Sequence, residues 1–182
     1  QINPHSKLLD DLKPGNPLLE DMRLAEEKMG SVLPVEIIIE VNENGLFEDI
    51  QDLPVISFLN DVSKYISEIP EVGKVISVSD FLKEIHQAMN DGNPDYYIIP
   101  PSRELIAQYM LLYESEFESF VNLDYTKLRI SAQIKDIDSR RSAEIEKDIN
   151  NYIVSRIPDG LNAEVTGTAL LALRTNNYLV NN

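Results

Sequence analysis

The 182-residue chain has no cysteine, so neither a disulfide framework nor a thiolate metal site is available to it. Histidine is scarce as well, with only His5 and His86. Neither has a partner at a zinc-like spacing, so packing or surface roles are expected for both. The seven glycines form no phosphate-cradling loop, and no G-x-S-x-G nucleophile elbow occurs. Long apolar runs are missing. The longest uncharged stretches, Leu105–Tyr113 and Val165–Leu173, fall well short of the ~18 residues that span a bilayer. No basic segment followed by an apolar one opens the chain, so no signal peptide is expected. Basic residues number 16 against 31 acidic ones, for a formal net charge of −15 and a pI near 4.4. With Lys and Arg few and scattered, a nucleic-acid surface is excluded as a leading reading, and an anionic membrane surface would repel the chain. The excess acid is read as a solubilising surface.

The composition is otherwise that of one globular domain with a real core, at 43% hydrophobic residues. Residues 1–17 read as a lead-in, broken by Pro4, Pro14 and Gly15. Asn16 and Pro17 suit a helix start. Leu18, Met22, Ala25 and Met29 then recur at helical spacing up to Gly30. Val35, Ile37, Ile39 and Val41 alternate with Glu36, Ile38 and Glu40, the period of a strand. Val55, Leu59, Val62, Ile66 and Ile69 form one helical stripe between Pro54 and Pro70. Each such side chain contributes ~1.5–3 kcal/mol when fully buried, before entropy is charged. That stripe therefore predicts a sheet to pack against. Val72–Val78 is the second expected strand.

A helical insert is expected over 80–125. Its first helix, capped by Ser79 or Asp80, carries Phe81, Leu82, Ile85, Ala88 and Met89 and stops near Asp91-Gly92. An extended connector with Tyr96, Tyr97, Ile98 and Ile99 leads to Ser102. That residue caps a central helix with Leu105, Ile106, Tyr109, Met110, Leu112 and Tyr113. A short further turn over Glu116–Asn122 bears Phe117 and Phe120. A segment of this length far exceeds a hairpin loop and must have structure of its own. Strand, helix and strand then recur: Lys127–Ile134 alternates sharply, Ile145, Ile149, Tyr152 and Ile153 mark a helix, and Leu161, Ala163 and Val165 make the last strand. Thr168–Asn182 again reads as helical. Two β-α-β halves, 32–79 and 126–167, predict an α+β, ferredoxin-like split β-α-β domain. Its four-stranded antiparallel sheet would carry both helices on one face, with the insert between strands two and three.

Chemistry is thinly signalled. Asn90–Asp95 superficially resembles a calcium loop, but Pro94 and a missing distal Glu break the pattern. Acidic pairs such as Asp10/Asp11, Glu26/Glu27 and Asp136/Asp138 read as solvated faces. We assign no catalytic residue, no cofactor and no metal ligand, and expect no enzyme activity. The aromatic and methionine residues of the insert are the candidates for contact with an apolar ligand, foremost Tyr109, Met110, Tyr113, Phe117 and Phe120, with Tyr96 and Tyr97 beside them. Core packing is the plainer reading for most of them.

Five segments carry a resemblance. Leu105–Glu114 (LIAQYMLLYE), together with Asp80–Asn90 (DFLKEIHQAMN) and Pro94–Tyr97 (PDYY), resembles the first extracytoplasmic loop of resistance–nodulation–division (RND) superfamily exporters, in the MMPL-like branch. Ala163–Val180 (AEVTGTALLALRTNNYLV) is similar to the stretch leading into that family's second membrane helix, and Pro17–Glu40 to its opening after the first. Met29 and Ser31 flank Gly30 where the pattern has Phe and a second Gly.

The resemblance implies a porter-type extracytoplasmic (periplasmic) domain between two membrane helices of a proton-driven exporter of hydrophobic or lipid-like cargo. The abrupt start and stop fit such a piece. Its partners would be the rest of that transporter, including a second similar porter domain, with the parent forming a homo-oligomer. The family's proton-relay carboxylates belong to membrane helices, so none is carried onto this chain. A free-standing extracytoplasmic module that binds a hydrophobic ligand is the alternative.

Overall fold

The computed structural model describes residues 33–43 and 45–167, together with the isolated helical residues 17, 20, 21, 24, 27 and 28. The helix expected over Asn16–Gly30 therefore falls largely outside the described residues. The lead-in before Pro17 and the C-terminal helix over Thr168–Asn182 lie wholly outside them. The chain runs β1 (Leu33–Val41), α1 (Leu53–Ser67), β2 (Val72–Ile76), α2 (Val78–Ala88), a 3-10 turn (Pro94–Tyr96), α3 (Arg103–Leu112), α4 (Glu114–Phe117), β3 (Lys127–Ile134), α5 (Ser139–Val154) and β4 (Leu161–Thr166). The strands form one four-stranded sheet in the order β2-β3-β1-β4. Every pairing is antiparallel. This is the split β-α-β arrangement, and the domain is α+β.

Period-two alternation builds the sheet. Leu33, Val35, Ile37, Ile39 and Val41 of β1 are buried, as are Leu128, Ile130, Ala132 and Ile134 of β3. In register, Ile37 stands between Ile130 on one side and Val165 on the other. The opposite face is wet. There Arg129 reaches Glu36 at 3.2 Å and Lys127 reaches Glu40 at 3.1 Å, both cross-strand pairs. Helices α1 and α5 cover the apolar face together. Ile66, Ile145 and Ile149 converge on Val35, Ala132 and Ile134. Above them Tyr65 and Tyr152 stack with ring centroids 3.9 Å apart.

The expected helix stripe of α1 is buried at Val55, Leu59, Val62 and Ile66, and Ile56 and Phe58 join it. Boundaries differ from expectation: Ile69 lies past the end of α1 at Ser67, and the short turn expected over Glu116–Asn122 is α4 at Glu114–Phe117. Helix α2 begins at Val78, and its cap is Ser77 rather than Ser79 or Asp80. The Asp80 carboxylate accepts from the Ser77 amide at 2.9 Å and from its hydroxyl at 3.1 Å. That reciprocal cap, with Asp80 at the third helical position, ends β2 at Ile76 and turns the fully buried Val78 into helix.

The second half is tied to the first by Arg141 at the start of α5. Its Nε donates to Glu71 Oε1 at 2.8 Å and its Nη2 to Oε2 at 3.2 Å, a bidentate pair just ahead of β2. The hydrogen bond from Arg141 holds the Glu71 carboxyl below its ordinary value, against the opposing effect of burial. A depressed carboxylate pKa contributes stability above the unfolded value, near ~4.3, and that contribution is lost as pH falls through the lower folded value. Glu71→Gln should therefore be less stable than the parent sequence at pH 7, with the difference shrinking below about pH 4.3. Urea midpoints at pH 7 and pH 3.5 check this; a pH-independent gap would contradict it.

Candidate functional site

The helical insert between β2 and β3 is the part of the fold that the split β-α-β frame does not require, and every ligand-contact candidate lies in it. Ser102 starts α3, its hydroxyl accepting from the Leu105 amide at 3.3 Å. At the far end of α2, Asp91 and Gly92 both take positive φ, 56° and 72°, and the Gly92 amide closes onto the Gln87 carbonyl at 3.0 Å. The connector is not extended throughout as expected, because Asn93 accepts from the Asp95 amide at 3.0 Å and winds Pro94–Tyr96 into a 3-10 turn.

Two sets of polar contacts hold α3. Arg103 Nη2 lies 2.7 Å from Asp49 Oδ2 and 3.4 Å from Glu48, and its Nε lies 3.0 Å from Asp52, so one guanidinium gathers three carboxylates at the start of α1. Burial works against the charge on Arg103, and Asp49, Glu48 and Asp52 more than reverse that, raising its pKa. Two turns along, Gln51 donates to the Met110 sulfur at 3.8 Å. On the α2 side, Tyr109 Oη and His86 Nδ1 are 3.1 Å apart in a buried contact. Burial pushes the Tyr109 phenol up, and the nearby Tyr113 adds to it. His86, buried and edge-on to Tyr96 at 5.6 Å, packs the insert together.

The structure separates the candidates. Tyr109, Met110 and Phe117 are core, with Met110 only 1% exposed. Phe120 is half-buried beside Phe81 at 5.4 Å, with Arg129 5.7 Å from its ring. Tyr113, at 37% exposure, is at the surface, as are Tyr96 and Tyr97. The five foremost candidates thus do not line one cavity. Of these five, only Phe117 reaches an open groove of about 600 Å³ shared with Val121, Leu123 and Tyr125 and rimmed by Glu114, Glu118 and Asp124.

A second open groove, of about 420 Å³, was not anticipated from the sequence. It lies between the C-terminal half of α1, Val75 of the edge strand β2, the start of α2 and the connector at Tyr97–Ile99. Lys83 crosses it, donating to Asn60 Oδ1 at 3.1 Å, pairing with Asp80 at 3.0 Å and standing 5.4 Å from the centre of the Tyr97 ring. Ser63 lines the same groove. Its hydroxyl is buried without a hydrogen-bond partner among the described residues, a state that costs ~1–3 kcal/mol. The only sequence-level sign was Ser63 itself, a polar residue next to Val62 on the apolar stripe.

Among the described residues no three His, Asp or Glu side chains cluster so as to hold a metal ion, and no helix is long and apolar enough to cross a membrane. No protein-family model matches the sequence, and no curated protein matches it either.

Proposed function

We propose that this chain is an extracytoplasmic porter domain of a proton-driven RND-type exporter, forming part of the path for hydrophobic or lipid-like cargo. The observation that carries this reading is the convergence of the domain's two ends. Thr166, closing β4, is registered opposite Glu36 near the start of β1. Gly167 then passes so close to Pro34 that a Cβ there would stand 2.7 Å from the Pro34 carbonyl oxygen, and its φ of +131° is one that few other residues tolerate. A domain inserted between two neighbouring membrane helices needs its incoming and outgoing strands at one end of the sheet. The antiparallel β1–β4 pairing supplies that, and the five-segment resemblance supports it.

In this reading the domain moves as a rigid body against a second, similar porter domain, opening and closing the cargo path. The compact sheet with its ion-paired insert suits such motion. A free-standing ligand-binding module would call for a closed apolar pocket. Among the described residues the two grooves are open, and a void under α1 and α5 holds about 10 Å³, at the lower limit for one water.

This chain has no cysteine of its own, so a single one can be introduced into it in a parent freed of cysteine elsewhere. Leu123 is 95% exposed at the tip of the turn before β3. In the full-length parent, Leu123→Cys should be labelled by a membrane-impermeant maleimide in intact spheroplasts. Labelling only after the membrane is broken would sink the proposal, as would a parent gene without hydrophobic segments flanking this chain.

A further inference from the structure

We propose that the groove between α1, β2 and the Tyr97–Ile99 connector is a binding site for an anionic amphiphile, an oxyanion head carried on a hydrocarbon chain. The inference concerns this chain alone and does not depend on the exporter reading. At about 420 Å³ the groove is within the size range of small-molecule sites. It is divided chemically. Its polar lining includes Lys83, Lys64 and Asn60, and its apolar lining Val75, Ile98 and Ile99.

Lys83 is held in place rather than free to swing, because Asn60 and Asp80 each take one of its contacts and the Tyr97 ring lies alongside. An ammonium has three donors, which leaves one for a ligand. Asp80, the only carboxylate lining the groove among the described residues, is already committed to Lys83 and to the Ser77 amide and hydroxyl. The local balance is therefore positive on a chain whose net charge is −15. A carboxylate or phosphate ester oxygen accepts from an ammonium, and a hydrocarbon tail covers Ile98, which is 51% exposed.

The test is an amide NMR titration of the 182-residue chain at pH 7 with sodium octanoate, octanol, octylammonium and inorganic phosphate. Octanoate should give saturable shifts centred on Ser63, Lys83 and Ile99. Octanol, octylammonium and phosphate should each bind at least about fivefold more weakly, since each lacks the charge or the chain. Lys83→Met should weaken octanoate by about tenfold, the loss expected for one charge-assisted contact. Should Lys83→Met disturb the fold, Ile98→Asp at its exposed position keeps the test open, because a carboxylate there must repel the tail and the head alike. Equal binding of octanol would overturn recognition of the oxyanion, and equal binding of phosphate would overturn the amphiphile. Shifts that map elsewhere, or that do not saturate, would overturn the site.

Discussion

Ile37→Ala is expected to lower the unfolding free energy by about 3–5 kcal/mol, measured as a shift of the urea midpoint at unchanged slope. Ile37 is fully buried at the centre of β1, an interior strand, opposite Ile130 on β3 and Val165 on β4. Hydrogen-bonded backbone on both sides and two helices above leave the walls of the resulting cavity little room to collapse. Incomplete collapse is what separates costly truncations from cheap ones. Since domains of this size are stable by only ~5–15 kcal/mol, the variant approaches the limit of folding. Ile37→Val, expected at ~0.5–1.5 kcal/mol, keeps the series measurable. The adjacent Ile38, on the wet face and only partly buried, should tolerate alanine with less than ~1 kcal/mol lost. A loss below ~1 kcal/mol at Ile37 would mean that β1 does not hold the middle of the sheet.

The strand period made this much legible from residues alone. Lys127–Ile134 alternates without a fault, and β3 spans those residues; the Val55–Ile66 stripe became the buried face of α1. A residue's face follows from local geometry, so it can be read without knowing the partner. The start of α2 could not be read as well. Ser77, Ser79 and Asp80 are all good caps, and the choice fell to Ser77 because only there can Asp80 reach back to the capping amide and hydroxyl. The candidate site was the least legible part. An insert rich in Tyr, Met and Phe looks the same in sequence whether those side chains fill a core or line a path. Tyr109 and Met110 were drawn inward by His86, Gln51 and the Arg103 clamp, contacts that cross 23, 59 and 54 positions of the chain respectively. The groove that emerged is built from pieces of two helices, an edge strand and a loop. No local period reports such a meeting.

Met110→Asp should cost about 3–5 kcal/mol, whereas Tyr113→Asp, three residues further on, should cost no more than about 1 kcal/mol. Met110 is 1% exposed and its sulfur has one polar neighbour, the Gln51 amide. A carboxylate introduced there would be stripped of water and could not be neutralised by Arg103, which already serves Asp49, Glu48 and Asp52. Burial raises the pKa of the introduced carboxyl, so its penalty is greatest when it must ionise and falls as pH drops. The stability deficit of Met110→Asp should therefore be smaller at pH 4 than at pH 7. Tyr113 closes α3 at 37% exposure, where the introduced charge stays solvated and opposes only the negative end of a short helix. The contrast also decides how cargo contact can be tested. Any ligand lost with Met110→Asp is lost together with the packing of the insert, whereas Tyr113→Asp leaves the fold in place and reports on the surface itself. Equal stabilities for the two variants would place Met110 at the surface, and the insert would then present a far broader apolar face than its packing against α1 and α2 implies.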